Sequence, residues 1–159
     1  MKVTAQDLEI LVALHFGMRQ NVVVPNVSWG LGLRYEADVV VLRPSGFALE
    51  VEIKCTRADV RADLKKDHQH DSIWFRQLWF CVAPGLEDMP EIPAKAGILV
   101  ARGEPLNFLE TLRAPRVNTQ ARRLPEAKQK KLLELGCMRI WTLKRALQYQ
   151  RQQRETHNV

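Results

Sequence analysis

The sequence predicts an α/β fold in which a central mixed sheet is flanked by helices. Apolar residues recur at helical spacing near both ends of the chain, and short apolar and β-branched runs occupy the middle. Turn-forming residues punctuate these runs. The predicted order is helix, three strands, helix, strand, strand, helix, which suits a layered α/β arrangement.

Thr4 and Asp7 have the spacing of a capping pair, and Leu8, Leu11, Val12 and Phe16 then recur at helical intervals, so a first helix is expected from Ala5 to Gly17. Asn21 to Trp29 is apolar and β-branched, Gly30 and Gly32 interrupt it, and Tyr35 to Leu42 resumes strand character. Arg43-Pro44-Ser45-Gly46 has the composition of a tight turn, so Phe47 to Lys54 should complete a hairpin. Thr56 with Asp59 repeats the capping pattern, and a second helix is expected to run to Asp71. Leu78 to Val82 and Gly97 to Ala101 suit buried strands, separated by a loop with Pro84, Pro90 and Pro93. From Leu124-Pro125, Leu132, Leu133, Leu135, Ile140, Leu143 and Leu147 mark a last helix that Gly136 could divide.

A chain of 159 residues is the length of one domain. A single domain is expected over residues 1–150, with a disordered tail over 151–159, where the composition is too polar to be held. Cys55, Cys81 and Cys137 are odd in number and lack metal-ligand spacing, so they read as reduced thiols of a cytoplasmic protein. No apolar run approaches the roughly 18 residues of a membrane helix, and no membrane association is expected.

The net charge of +6 hides an asymmetry. Residues 1–110 carry 12 basic and 15 acidic side chains, and residues 111–159 carry 12 basic and 3 acidic. An acidic region able to hold a cation beside a basic region able to hold a polyanion suits a metal-dependent enzyme acting on nucleic acid. A solvated basic helix and tail is the plainer alternative.

The chemistry concentrates on Leu49-Glu50-Val51-Glu52-Ile53-Lys54. Alternation along a strand sends Leu49, Val51 and Ile53 to one face and Glu50, Glu52 and Lys54 to the other. A half-exposed strand alternates in the same way. A hairpin centred on Ser45, however, places Asp38 opposite Glu52 and Glu36 opposite Lys54, and opposed acids about 5 Å apart repel unless a cation lies between them. Asp38 also intrudes on the apolar run Val39 to Leu42. A hard ion such as Mg²⁺ or Mn²⁺ accounts for both carboxylates, and Lys54 could orient the attacking water and stabilise charge growing on phosphorus.

Asp38, a short hairpin and Glu52-Ile53-Lys54 together resemble the signature of the PD-(D/E)XK phosphodiesterase superfamily, and the order of elements is similar to its restriction-endonuclease-like core. The resemblance implies Asp38 and Glu52 as metal ligands with the Ile53 backbone carbonyl, Lys54 as the catalytic lysine, and Glu9 as a further acid on the first helix. Within the superfamily, Glu36-Ala37-Asp38, Glu50 to Lys54, and then Asp59, Asp63 and Lys66 look like the MmcB-like DNA-repair group over about Leu8 to Arg102. That likeness implies a Mg²⁺- or Mn²⁺-dependent nuclease acting on DNA in repair, recombination or phage DNA metabolism. A non-catalytic nucleic-acid-binding module and a subunit of a larger complex are the alternatives, and a homodimer is left open.

On the second helix Asp59, Asp63, Asp67 and Asp71 form one row and Arg57, Arg61 and Lys65 another. Asp63 and Lys66 are candidates to support the site or contact a phosphate, although a solvated face whose rows cross-pair is the plainer reading. His68 and His70 on one helix would point about 200° apart, which argues against a shared zinc ion. Trp74, Phe75, Trp79 and Phe80 could stack on bases, but aromatics beside a strand read more simply as core. Arg113, Arg116, Arg122, Arg123, Lys128, Lys130 and Lys131 cluster around a helix start and are the candidate phosphate contacts.

Overall fold

The computed structural model describes residues 3–63 and 70–157. Helix α1 (Ala5–His15) is followed by strands β1 (Val22–Val27), β2 (Ala37–Leu42) and β3 (Ala48–Lys54), then helix α2 (Arg57–Asp63). Strands β4 (Phe75–Val82), β5 (Gly97–Arg102) and β6 (Phe108–Arg113) and helix α3 (Glu126–His157) complete the chain. The six strands form one sheet in chain order, with β3, β4 and β5 parallel and the other neighbours antiparallel. This is a mixed α/β architecture.

Local chemistry accounts for most of the element starts. Thr4 caps α1 by accepting from the Asp7 N–H, and the Asp7 carboxylate returns a bond to the Thr4 N–H. Thr56 and Asp59 exchange the same pair of bonds ahead of α2. Between β2 and β3 the turn closes with Gly46 N–H donating to Arg43 O, and Gly46 sits at φ 82, where a side chain would be strained. The hairpin pairs Val39 with Val51, Val40 with Glu50 and Leu42 with Ala48. Ser45 is therefore its centre, as the sequence predicts.

Helix α1 covers one face of the sheet over a core that includes Leu8, Val12, Val41, Leu49, Val51, Ile53, Cys81 and Leu99. The other face carries two apolar clusters. One joins Val40, Leu42, Ala48 and Phe75 to Leu132 and Leu135 of α3, and the other joins Val60 of α2 to Phe80, Val82 and Val100. Trp74 is partly buried, and Phe75, Trp79 and Phe80 are buried, which fits their reading as core.

Several expectations need correction. Strand β6 was not predicted; it is an edge strand with Leu109 as its one buried residue, so its sequence carries little apolar signal. Gly136 does not divide α3, which runs unbroken through it with Val24 of β1 packed alongside. Helix α3 also continues through His157, so residues 151–157 are helical where a disordered tail was expected. The second helix does not reach Asp71: His70 has φ 54 and lies outside it. Lys65, Lys66, Asp67 and His68 fall outside the described residues. All three cysteines are free thiols, and burial pushes that of Cys81 up to about 12. No helix among the described residues is long and apolar enough to cross a membrane.

Candidate active site

The even-numbered residues of β3 do not face solvent. Glu50 and Glu52 are 0% exposed and Lys54 is 4% exposed, so both faces of the strand are buried. The three side chains emerge along the seam between the two apolar clusters on the α2 and α3 side of the sheet. Charges buried this deeply must be paired. Lys54 Nζ donates to Glu52 Oε2 at 2.6 Å and to Asp63 Oδ1 at 2.9 Å, and it lies 3.9 Å from Asp38 Oδ2.

The histidine set aside as a zinc ligand proves central. His70 places Nε2 2.8 Å from Asp63 Oδ2 and Nδ1 3.2 Å from Glu50 Oε1. Its ring meets Tyr35 and Phe80 edge to face at centroid distances of 6.0 and 5.9 Å. Two aromatic neighbours and two carboxylates thus fix its orientation. Burial alone would depress its pKa, but hydrogen bonds donated to the Asp63 and Glu50 carboxylates reverse the effect and raise it to about 9. Burial would likewise lower Lys54, yet Glu52 and Asp63 outweigh it and the ammonium titrates above its ordinary value. Burial raises Glu50, with His70 opposing. Tyr35, beside Glu50, is raised by burial and then by the Glu50 charge.

Asp38 differs from this dry group. Its side chain is 32% exposed, and its Oδ2 accepts the Ile53 N–H at 2.8 Å. In an antiparallel pair a residue's N–H and C=O point to the same neighbour, so the Ile53 carbonyl is also turned toward the β2 side. Asp38, Glu52, Lys54 and the Ile53 peptide therefore meet at one end of the β2–β3 pair, with Asp38 as the member open to solvent.

Other expected site residues fall elsewhere. Glu36 is exposed and precedes β2, so it does not pair with the buried Lys54. Glu9 is half-buried in a groove between β1 and α3, is hydrogen-bonded to Asn26 and has its pKa raised by burial. Asp63 joins the cluster directly. Among the basic residues, Arg113 is spent on the Ala96 and Pro93 carbonyls, and Lys128 on the Leu31 carbonyl and the Trp74 ring. Lys131 pairs with Glu134. Arg116, Arg122, Arg123 and Lys130 are exposed. Arg116 lines a cleft of about 340 Å³ together with Arg76, Lys95 and His70.

No family model matches the chain, and no curated protein matches it. Among solved structures it is similar to the SPO1766 protein of unknown function from Silicibacter pomeroyi, with 24% identity, 93% of this chain and 94% of that chain covered, and a TM-score of 0.63. The two share a fold. Sequence reasoning missed His70 and Tyr35 because neither lies on the motif strand. The one available signal was a histidine close to a run of aspartates.

Proposed function

We propose that this protein is a metal-dependent nuclease that hydrolyses nucleic-acid phosphodiesters, with DNA as the substrate, built on a restriction-endonuclease-like core of the PD-(D/E)XK type and nearest in pattern to the MmcB-like DNA-repair group. The observation that carries the reading is the convergence of Asp38, Glu52 and Lys54 at one end of the β2–β3 pair.

The donor set suits Mg²⁺ or Mn²⁺. Carboxylate oxygens from Asp38 and Glu52 and the Ile53 carbonyl are hard ligands. Lys54 Nζ lies 3.9 Å from one carboxylate and 2.6 Å from the other, so the two oxygens are no further apart than the sum of those distances. An ion held there would supply Lewis-acid stabilisation of the phosphate and a more acidic bound water. Lys54, fixed by Glu52 and Asp63, directs its ammonium toward that end and can hold a water by hydrogen bond or stabilise charge developing on the phosphate. Asp38, through its exposure, meets the substrate side. Arg76 and Arg116 line a cleft beside His70 where Phe75 of β4 pairs with Ala48, and Arg123 lies over Phe47 nearby. This positive charge stands toward the opposite end of β3 from Asp38, within reach of a phosphate backbone that crosses the sheet.

Incubation with labelled single-stranded, duplex and branched DNA tests this reading. Cleavage should require Mg²⁺ or Mn²⁺ and disappear in Asp38→Asn and Lys54→Ala protein that still binds DNA. A second reading, a non-catalytic nucleic-acid-binding module, is favoured by a specific observation: Lys54 and His70 already balance most of the buried carboxylate charge. Salt-sensitive DNA binding without cleavage, indifferent to metal and to both substitutions, would establish it.

A further inference from the structure

Around His70 the cluster has a second geometry, which shares Glu52 with the Asp38 end. Its Nδ1 faces two carboxylates, 3.2 Å from Glu50 Oε1 and 4.0 Å from Glu52 Oε1. One donor atom from each of Glu50, Glu52 and His70 can be chosen so that all three lie within 4.8 Å of one another. Tetrahedral ligands of one ion with bonds of about 2.1 Å sit about 3.4 Å apart, so a contraction of about an ångström brings the widest pair into a single coordination sphere. The outer nitrogen, Nε2, is held by Asp63 at 2.8 Å. A carboxylate on the far nitrogen is the usual way a protein orients a metal-binding imidazole.

A second observation concerns Glu50 itself. It is wholly buried, with His70 and the Tyr35 phenol as the hydrogen-bonding neighbours of its carboxylate, and its Oε2 has no bond of good geometry among the described residues. A buried carboxylate oxygen without a well-formed bond costs free energy that a cation would recover. His70 lines a surface cleft of about 340 Å³, and its neighbour Tyr35 lines another of about 360 Å³, while Glu50 and Glu52 are wholly buried.

We propose that Glu50, Glu52 and His70 Nδ1 form a cation site for a divalent ion that accepts imidazole nitrogen, Mn²⁺ or Zn²⁺ in preference to Mg²⁺. A mixed nitrogen and oxygen donor set selects such ions, whereas Mg²⁺ demands oxygen ligands and gives up its waters reluctantly. Tyr35 and Phe80 each meet the imidazole edge to face and limit its rotation. The site shares Glu52 with the cation position proposed above but needs neither Asp38 nor the cleavage chemistry.

Electron paramagnetic resonance of the full chain titrated with Mn²⁺ reads the site directly. Bound Mn²⁺ should show nitrogen modulation from one imidazole, with Zn²⁺ displacing it and Mg²⁺ failing to do so at equal concentration. Asp38→Asn should keep both the binding and the nitrogen signal, and His70→Gln should lose the signal and weaken binding at least tenfold. Bound Mn²⁺ without nitrogen modulation, absence of Mn²⁺ binding, or binding abolished by Asp38→Asn and untouched by His70→Gln would overturn the proposal. If circular dichroism shows that His70→Gln is unfolded, Glu50→Gln decides: a tenfold or greater loss of affinity supports the site, and unchanged affinity overturns it. DNA cleavage has no part in these readings, so a failure of the nuclease assignment would be seen separately.

Discussion

Leu49, Val51 and Ile53 leave β3 toward α1, while Glu50, Glu52 and Lys54 leave it on the opposite side, and the two sets are almost equally dry. On the first side each buried aliphatic side chain contributes about 1.5–3 kcal/mol. On the second, desolvation costs several kcal/mol per ion, and the pairings of Lys54 and His70 offset it only where their geometry is good. Apolar residues of similar volume would often fill such a space at lower free energy. The contrast teaches that β3 is held outright by burial on one side, whereas on the other its groups are costly to bury and keep their place only as a paired network.

Breaking each side in turn should separate the two roles. The largest effect is expected from Lys54→Ala, which strands Glu52 and Asp63 without their cation; stability in urea should fall by about 3–5 kcal/mol, and any metal-dependent cleavage should vanish. Leu49→Ala on the other side should cost about 3 kcal/mol and leave the specific activity of the folded fraction unchanged. If Leu49→Ala proved the costlier change, the charged layer would not be the more demanding of the two.

Acidity probes the charged side alone. His70 titrates at about 9 in the metal-free fold against an ordinary 6.5. The folded state therefore binds its proton more tightly, and this stability is complete below pH 6.5 and lost as pH rises through about 9. Denaturation across that window should show a loss of roughly 2–3 kcal/mol in the parent protein and a flatter profile in His70→Gln. The smallest change in stability, under about 1 kcal/mol, is expected for Asp38→Asn, because an amide oxygen can still accept the Ile53 N–H. Cleavage in Mg²⁺ or Mn²⁺ should nevertheless be lost, so stability and activity part company most clearly at this residue.

What could be read from the sequence was what short-range chemistry decides. The capping pairs at Thr4 and Thr56 and the turn at Arg43 to Gly46 announce their elements, and the centre of that turn fixes which residues of β2 and β3 face one another. That is why Asp38, Glu52 and Lys54 could be grouped before any coordinates. Alternation alone could not say that Glu50 and Glu52 are buried, since a strand wet on one face has the same pattern. Nor could it bring in Tyr35 and His70, which arrive from segments outside the hairpin through packing against Phe80 and Glu50. Edge strand β6 escaped because one buried leucine leaves almost no periodicity to detect. Glu36 was misplaced by extending the hairpin pattern past the point where the strands stay paired.

Where β2 and β3 part, Val39 and Val51 are the last rung, and the next donor along β3 goes to a side chain instead of a peptide carbonyl. Asp38 thereby acts as the stop on a zipper. The fork beyond it owes its position to one carboxylate, which both blocks further closure and stands at the opening it creates. The place where the strands separate thus rests on a single acceptor, which an amide oxygen can replace and an apolar side chain cannot.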